Sequence, residues 1–190
     1  MRLGLFGGSF DPPHIGHLLV AVDALEELKL DQLIFIPAAV QPLKVGQAVA
    51  NGAQRLAMVR LLVEGDRRFG ADAIEIDRRG LSYTVETLEA FAGRYPEAER
   101  FFLVGADAIA AFESWREPER IMRLARLAIL RRPGSAGQPG KVPGETISLT
   151  TRLIDVSSTE IRERVRCGKS IRGFVADSVA RFIETERLYR

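Results

Sequence analysis

The apolar residues of the chain follow two alternating patterns. Runs of four mostly apolar residues, typical of buried strands, are separated by longer stretches in which apolar residues recur every three or four positions, as on one face of a helix. The runs predict six strands, near residues 3–6, 33–36, 73–76, 101–104, 127–130 and 153–156. The periodic stretches predict helices around residues 15–29, 56–63, 85–91, 158–167 and 175–183.

Strands that alternate with helices are typical of a parallel sheet covered on both faces. We therefore expect an α/β fold of the Rossmann-like, doubly wound kind, with a mostly parallel sheet, helices on both faces and a small C-terminal helical extension. The 190 residues fit a single domain, with a Rossmann-like core over residues 1–156 and C-terminal helices over 157–190. Residues 134–144 are rich in glycine and proline and predict a surface loop.

Composition and charge narrow the class of protein only slightly. The net charge of +2 is too small to indicate nucleic-acid binding, and none is expected. No stretch approaches the ~20 apolar residues of a membrane span, so no membrane association is expected either. The single cysteine, Cys167, favours a reducing compartment and predicts a cytoplasmic protein. Formation of a homo-oligomer is left open by the sequence.

The chemically unusual residues fall at the ends of the predicted strands. They occupy residues 7–17, 37–44, 81–84, 105–107 and 131–132. In open α/β sheets, ligands bind beyond the carboxyl ends of the strands, where the strand order reverses. The pattern therefore predicts a binding site at that edge of the sheet.

The stretch from Gly7 to His17 joins the first strand to the first helix. A strand, a glycine turn and a helix N-terminus together hold phosphate against backbone N–H groups and the positive end of the helix dipole. The glycines match neither G-x-G-x-x-G nor the P-loop pattern, so neither a dinucleotide fingerprint nor a P-loop is predicted. His14 and His17, the only histidines, share one helix face.

Two other interpretations of these histidines are less favoured. A zinc site needs three or four protein ligands, and the chain has no third histidine and no cysteine partner for Cys167. A buried structural pair is disfavoured by Gly16, because glycine inside a helix costs about 1 kcal/mol relative to alanine. Gly16 instead suggests that some group approaches the backbone closely. Contact with a phosphate is the favoured interpretation.

Two motifs carry a family resemblance. His14-Ile15-Gly16-His17 resembles the HIGH signature shared by class I aminoacyl-tRNA synthetases and the small nucleotidyltransferases. Val156 to Arg162 resembles the second nucleotidyltransferase signature, I-S-S-T-x-I-R. A chain of 190 residues leaves little room for the tRNA-binding domains of a synthetase, so the nucleotidyltransferases are the better match.

Within that superfamily, the chain most resembles the bacterial nicotinate-nucleotide adenylyltransferases. Four segments carry this likeness: the opening Gly7–His14, the S-Y-T segment of residues 79–88, Gly105-Ala106-Asp107 with Phe112 and Trp115, and Arg131-Arg132-Pro133-Gly134. Pantetheine-phosphate adenylyltransferases lack the S-Y-T and tryptophan elements. One segment departs from the family pattern, because Gln41-Pro42-Leu43-Lys44 stands where the family usually has P-P-H-K.

The resemblance implies transfer of AMP from ATP to nicotinate mononucleotide in NAD biosynthesis, with Mg²⁺ bound through the ATP phosphates and no metal site in the protein. The catalytic residues that it implies are His14, His17, Lys44 and Arg162. Residues implied in ATP binding are Gly7, Gly8, Ser9, Phe10, Gly105, Asp107, Arg132, Ser157, Ser158 and Thr159. Those implied in binding nicotinate mononucleotide are Ser82, Tyr83, Thr84 and Trp115.

The implied nucleophile is a phosphate oxygen that is already anionic near neutral pH, so no general base is required. The reaction instead needs two polyanions to be aligned and their charge neutralised. Simpler roles remain for several residues: Ser82, Thr84 or Asp107 could cap a helix, and Trp115 could fill the core. Phosphopantetheine or nicotinamide mononucleotide as acceptor, and a nucleotide sensor without activity, are the alternative functions.

Overall fold

A computed structural model describes residues 1–40, 49–131, 145–150, 152 and 154–190, with Asp107 and Arg131 described by their backbone alone. The strands are β1 (Arg2–Gly8), β2 (Gln32–Pro37), β3 (Phe69–Ala71), β4 (Glu99–Gly105), β5 (Arg126–Arg131) and β6 (Thr146–Thr150). The helices are α1 (Ile15–Glu27), α2 (Gly52–Leu62), α3 (Ile74–Arg78), α4 (Thr84–Arg94), α5 (Ala106–Ile109), α6 (Pro118–Leu124), α7 (Ser158–Arg166) and α8 (Asp177–Thr185). Among these helices, none is long and apolar enough to cross a bilayer.

The strands form one sheet in the order β3-β2-β1-β4-β5-β6. Each neighbouring pair is parallel. This is the strand order of the doubly wound Rossmann fold, and it confirms the predicted fold class. The order reverses between β1 and β4, so the expected ligand crevice lies beyond Gly8 and Gly105, which end these two strands.

Both faces of the sheet are covered by helices. Leu5 of β1 belongs to a buried cluster with Leu88 of α4 and Ile121 of α6. The next residue, Phe6, belongs to a second cluster with Val59 of α2 and with residues of α1 and α8. Because successive side chains of a strand point to opposite faces, burial on both faces explains why β1 is apolar at consecutive positions.

The predicted strand at residues 73–76 is wrong. These residues begin helix α3, and the third strand lies earlier, at Phe69–Ala71. The Asp72 side chain accepts a hydrogen bond from the backbone N–H of Ile74 at 2.8 Å, which favours a helical turn at this point. The alternation of isoleucine and glutamate over four residues is too short to separate a strand from a single helical turn.

The sixth strand was also predicted in the wrong place. It runs over Thr146–Thr150, and residues 154–157 have no regular structure. Ile147 and Leu149 alternate with hydroxyl-bearing residues, which suits an edge strand that is buried on one side only. The denser apolar run that follows was a stronger signal in the sequence, although it does not form the strand.

The structure defines the capping residues of two helices. Ser157 caps α7, and its side chain accepts from the N–H of Glu160 at 3.1 Å. Tyr83, rather than Ser82 or Thr84, occupies the N-cap of α4. The predicted surface loop at residues 134–144 lies outside the described residues.

Candidate active site

The two histidines lie at the start of α1, directly after the turn that follows β1. His14 is the N-cap residue, and its backbone N–H donates to Nδ1 of His17 at 3.2 Å. The two imidazole rings lie with their centroids 3.7 Å apart. Because a neutral imidazole carries one proton, acceptance at Nδ1 places the proton of His17 on Nε2. His17 can therefore donate from Nε2 to an oxygen atom.

Gly16 makes room for a neighbouring side chain. A Cβ atom at this position would lie 3.0 Å from two atoms of the His14 ring, closer than such contacts normally are. The close approach that the sequence suggested at Gly16 is therefore made by His14 itself. His14 is buried, with 8% of its surface exposed, so part of its role is to pack at the helix start.

Phe10 contributes its side chain to the core and not to the site. Its ring is 1% exposed and lies edge-on to His17, with the centroids 5.0 Å apart. A Cβ at Gly8 would lie 2.8 Å from the Phe10 ring, which explains the glycine at that position. Any contact of Phe10 with phosphate must therefore come from its backbone, and its ring supports one side of His17.

The structure brings the two signature motifs together. Ser158 Oγ donates to the carbonyl oxygen of Pro12 at 2.8 Å, and Arg162 Nη1 donates to that of Asp11 at 2.8 Å. Arg162 Nη2 also donates to Thr159 Oγ1 at 3.2 Å. The N-termini of α1 and α7 thus meet at the same turn, where their dipoles favour an anion.

Asp11 is the centre of the turn, and the sequence analysis gave it no role. Its carboxylate accepts from the N–H groups of Val49 and Ala50, at 2.7 and 3.1 Å. It also accepts from the phenol of Tyr189 at 2.7 Å. Burial raises the pKa of Tyr189, so the phenol keeps the proton that it donates. The far end of the chain therefore helps to fix the turn.

Arg55 is a second residue that the sequence analysis missed. It is 2% exposed on α2 and donates to the carbonyl oxygens of Ser9, Ala39 and Ala50, at 2.8, 3.2 and 3.1 Å. Burial lowers the pKa of the guanidinium, and the charge of Asp11 opposes that change. Arg55 joins the turn after β1, the segment after β2 and the start of α2. Its only signal in the sequence is its place beside apolar residues of α2.

A pocket with a volume of about 180 Å³ lies at the carboxyl ends of β1 and β4. Seven of its lining residues are predicted site residues: Gly7, Gly8, Ser82, Tyr83, Thr84, Gly105 and Trp115. The pocket occupies the position that the strand order predicts for a ligand. It also contains Glu75 and Arg116, which the sequence analysis did not select.

Trp115 forms part of the wall of this pocket. Its ring is half-buried and lies edge-on to Phe102, with the centroids 6.3 Å apart, and 5.4 Å from the Phe112 ring. Phe112 fills the core beneath it, with 1% of its surface exposed. Trp115 is therefore not simply a core residue, and it presents aromatic surface to the pocket.

Glu75 is a buried carboxyl group in the wall of the pocket. It is 7% exposed, and Thr87 Oγ1 donates to its Oε1 at 2.6 Å. Burial raises the pKa of Glu75, while hydrogen bonds from Thr87 and Ser82 and the charges of Arg78 and Arg55 act in the opposite direction. A buried carboxyl with a raised pKa in a pocket is a common feature of functional sites.

The raised pKa of Glu75 makes stability depend on pH. The protonated carboxyl contributes to the free energy of unfolding. This contribution is fully present below the ordinary pKa of 4.5, and it is lost as the pH rises through the raised pKa of the folded state. Glu75→Gln removes this loss, so its stability relative to the original chain should increase as the pH rises above the ordinary pKa of a glutamate. Urea unfolding at a series of pH values measures the effect. A difference that does not increase with pH would contradict it.

The exposed Asp77, on the same helix α3, provides the matched control for that measurement. Asp77→Asn should change the free energy of unfolding by no more than about 0.5 kcal/mol.

Three predicted site residues remain: two lie outside the described residues, and one lies in helix α5. Lys44 and Arg132 lie outside the described residues. Asp107 is the second residue of α5, and Gly105 is the N-cap, so the alternative role of Asp107 as a cap is wrong.

Across the described ranges, no three His, Cys, Asp or Glu residues are grouped closely enough to hold a metal ion. In those ranges the two histidines thus have no third ligand for zinc.

Comparison with known proteins defines the class. The cytidylyltransferase-like family model matches residues 5–164, and the chain belongs to this family of nucleotidyltransferases. More particularly, the chain is 50% identical to a Gemmatimonas aurantiaca protein named "Probable nicotinate-nucleotide adenylyltransferase". The alignment covers 100% of this chain and 93% of the relative. A Thermus thermophilus protein of the same name is 44% identical over the whole of both chains. The resemblance to nicotinate-nucleotide adenylyltransferases is thereby confirmed.

The fold also matches solved structures. The structure of Plasmodium falciparum nicotinic acid mononucleotide adenylyltransferase complexed with NaAD aligns with a TM-score of 0.78. The alignment covers 99% of this chain and 97% of that one, at 16% sequence identity. At this identity the comparison supports the fold.

Proposed function

We propose that the chain transfers AMP from ATP to nicotinate mononucleotide, forming nicotinate adenine dinucleotide and pyrophosphate as a step in NAD biosynthesis. One observation carries the proposal: Ser158 and Arg162 contact the turn after β1, and the pocket beside that turn holds Tyr83 and Trp115. The arrangement joins an anion site to a flat-walled pocket. The names of the full-length relatives support the same activity.

The proposed chemistry is a displacement at phosphorus. A phosphate oxygen of nicotinate mononucleotide forms a bond to the α-phosphorus of ATP, and the bond from that phosphorus to the bridging β-oxygen breaks. Pyrophosphate leaves with the electron pair. Because the nucleophile is already anionic, the protein needs to align the two phosphates and stabilise the charge that develops.

The turn after β1 supplies donors for this purpose. We assign the Nε2–H of His17, with His14 beside it, to the α-phosphate, and the backbone of residues 7–10 to the same phosphate group. Arg162, Ser158 and Thr159 would hold the leaving pyrophosphate. The two contacts described for Arg162 use two of its five N–H groups. Lys44 is assigned to the leaving pyrophosphate as well, because it stands at the lysine of the family's P-P-H-K motif.

The pocket accommodates the acceptor in this proposal. The aromatic face of Trp115 would stack on the pyridine ring. The N–H groups of Tyr83 and Thr84, at the start of α4, would hold the nicotinate carboxylate, because the first N–H groups of a helix have no acceptor within it. Gly105, Asp107 and Arg132 are assigned to ATP.

Mg²⁺ is proposed to bind through the ATP phosphates. The donors at the turn are N–H and O–H groups, and the Asp11 carboxylate already accepts three hydrogen bonds. Mg²⁺ prefers oxygen ligands and usually keeps waters and substrate phosphates, so this donor set suits the phosphates better than the ion. When bound, the ion would neutralise phosphate charge.

The single cysteine supports a cytoplasmic location for the reaction.

A pyrophosphate-release assay tests the proposal. The protein is incubated with ATP, Mg²⁺ and one acceptor at a time: nicotinate mononucleotide, nicotinamide mononucleotide or phosphopantetheine. We expect the highest kcat/KM with nicotinate mononucleotide and one dinucleotide formed per pyrophosphate released. ATP binding without pyrophosphate release from any acceptor would favour the nucleotide sensor instead.

Replacement of Trp115 tests the acceptor side of the pocket. Trp115→Ala should raise KM for nicotinate mononucleotide about tenfold through lost stacking and apolar contact. KM for ATP should change much less, and Trp115→Phe should restore most of the acceptor affinity. Steady-state kinetics with each substrate varied in turn distinguish these effects. Equal increases in both KM values would contradict the assignment.

A further inference from the structure

The carboxyl group of Glu75 holds the start of α4 through Thr87, whose Oγ1 donates to it at 2.6 Å. Ser82, on the other side of the helix start, lies close enough to the carboxyl to act on its pKa. Ser82 directly precedes Tyr83, and Thr87 lies one helical turn after Tyr83. All three residues are buried: Glu75 is 7% exposed, Ser82 9% and Thr87 1%. The carboxyl therefore braces the first turn of α4 through Thr87.

The same network reaches the end of β2. Ser82 Oγ accepts from the N–H of Ala39, and the N–H of Ser82 donates to the carbonyl of Val40, both at 2.9 Å. On the other side, Thr87 Oγ1 accepts from Arg78 Nη2 at 3.2 Å. Loss of the Glu75 carboxyl would remove the short hydrogen bond of the Thr87 hydroxyl and leave it only the long contact with the carbonyl oxygen of Tyr83, at 3.4 Å.

The orientation of this helical turn matters for what the pocket can bind. Tyr83 and Thr84 line the pocket together with Glu75. Their N–H groups lie at the helix N-terminus, where they can donate to a ligand. A group that fixes the turn also fixes the direction of these donors. A carboxylate ligand gains more from them than a neutral amide does, because hydrogen bonds to an ionised acceptor are roughly twice as strong.

The charge of Glu75 itself also faces the pocket. A negative charge there would repel an acidic ligand, whereas a protonated carboxyl would not. Burial raises the pKa of Glu75, which favours the protonated form, although the nearby charges of Arg78 and Arg55 oppose this. The brace is therefore compatible with an acidic ligand in the same pocket.

We propose that Glu75 is a positioning residue that sets the preference for an acidic pyridine acceptor over its amide, by bracing the N–H groups of Tyr83 and Thr84. The inference rests on the proposed function and adds a determinant of specificity to it. A merely structural role for Glu75 would lower stability and reduce activity with both acceptors alike. The ratio of kcat/KM for nicotinate mononucleotide to that for nicotinamide mononucleotide separates the two roles.

The test measures that ratio in the original chain and in Glu75→Ala, Glu75→Gln and Thr87→Val. Glu75→Ala should lower the ratio about tenfold or more, because the donors aimed at the carboxylate lose their support. Thr87→Val, which keeps the shape of the side chain, should lower it about threefold. Glu75→Gln can still accept from Thr87 through its amide oxygen, so its ratio should stay within about threefold.

Asp77→Ala, an exposed change on the same helix, is the control and should leave the ratio unchanged. An unchanged ratio in both Glu75→Ala and Thr87→Val would overturn the inference, as would an equal loss with both acceptors. If Glu75→Ala does not fold, the ratio in Thr87→Val decides. No turnover of either acceptor by the original chain would contradict the proposed function instead, so the two failures can be told apart.

Discussion

His17→Ala should lower kcat by about 10²–10³ and leave the fold intact. The imidazole accepts the N–H of His14 at Nδ1, which places its proton on Nε2 and makes that atom a hydrogen-bond donor. If that donor acts mainly on the charge that develops at the α-phosphate, its loss appears in kcat more than in KM for ATP. Pyrophosphate-release kinetics measure both constants.

His17→Gln is the informative companion to this variant. The amide nitrogen of glutamine can approach the position of Nε2, so it should recover part of the lost rate. Thermal unfolding checks that the contact with Phe10, at 5.0 Å between centroids, does not hide a folding defect. Turnover of His17→Ala equal to that of the original chain would remove the proposed role of the motif.

Arg55→Met should lower the free energy of unfolding by about 3–5 kcal/mol. The change keeps an apolar side chain of similar length but leaves the carbonyls of Ser9, Ala39 and Ala50 without their buried donor. It also removes the positive charge that acts on Asp11. Urea unfolding measures the loss from the shift of the midpoint at constant slope.

Arg60→Met is the matched control for Arg55→Met, because Arg60 lies on the same helix α2 and is exposed. It should change the free energy of unfolding by no more than about 0.5 kcal/mol. Arg55→Lys should lower the free energy of unfolding by an amount between those of Arg55→Met and Arg60→Met. One ammonium group cannot reach three separate carbonyls as a guanidinium does. Equal effects of the Arg55 and Arg60 changes would show that the buried contacts contribute little.

Local sequence patterns predicted most of the fold. The apolar runs at residues 3–6 and 101–104 are buried on both faces of a parallel sheet, and such strands stand out in a sequence. The runs at 73–76 and 153–156 misled the prediction for a physical reason. In the first, one turn of helix and one short strand share the same pattern; near the second, the true strand is an edge strand with alternating hydroxyl groups.

The candidate site was predictable where its residues are adjacent in the chain. The HIGH and S-S-T-x-I-R motifs and the S-Y-T segment each lie in one short stretch. Arg55 and Glu75 were not predictable in this way, because a charged residue on a helix usually faces solvent and its burial depends on distant segments. No local pattern indicates that the Ser9 carbonyl will lie beside a helix more than forty residues later.

The hydrogen bond between Asp11 and Tyr189 has a consequence for how the chain matures during synthesis. The two residues are 178 positions apart, so the loop that they close spans nearly the whole sequence. Contacts of such high sequence separation form late, because the entropy of closing the loop must first be overcome. The first strand can leave the ribosome early in translation, but the turn that follows it acquires its complete set of contacts only after residue 189 has emerged. Until then, an adenylyltransferase with most of its sheet assembled would still lack contacts that fix its proposed phosphate site.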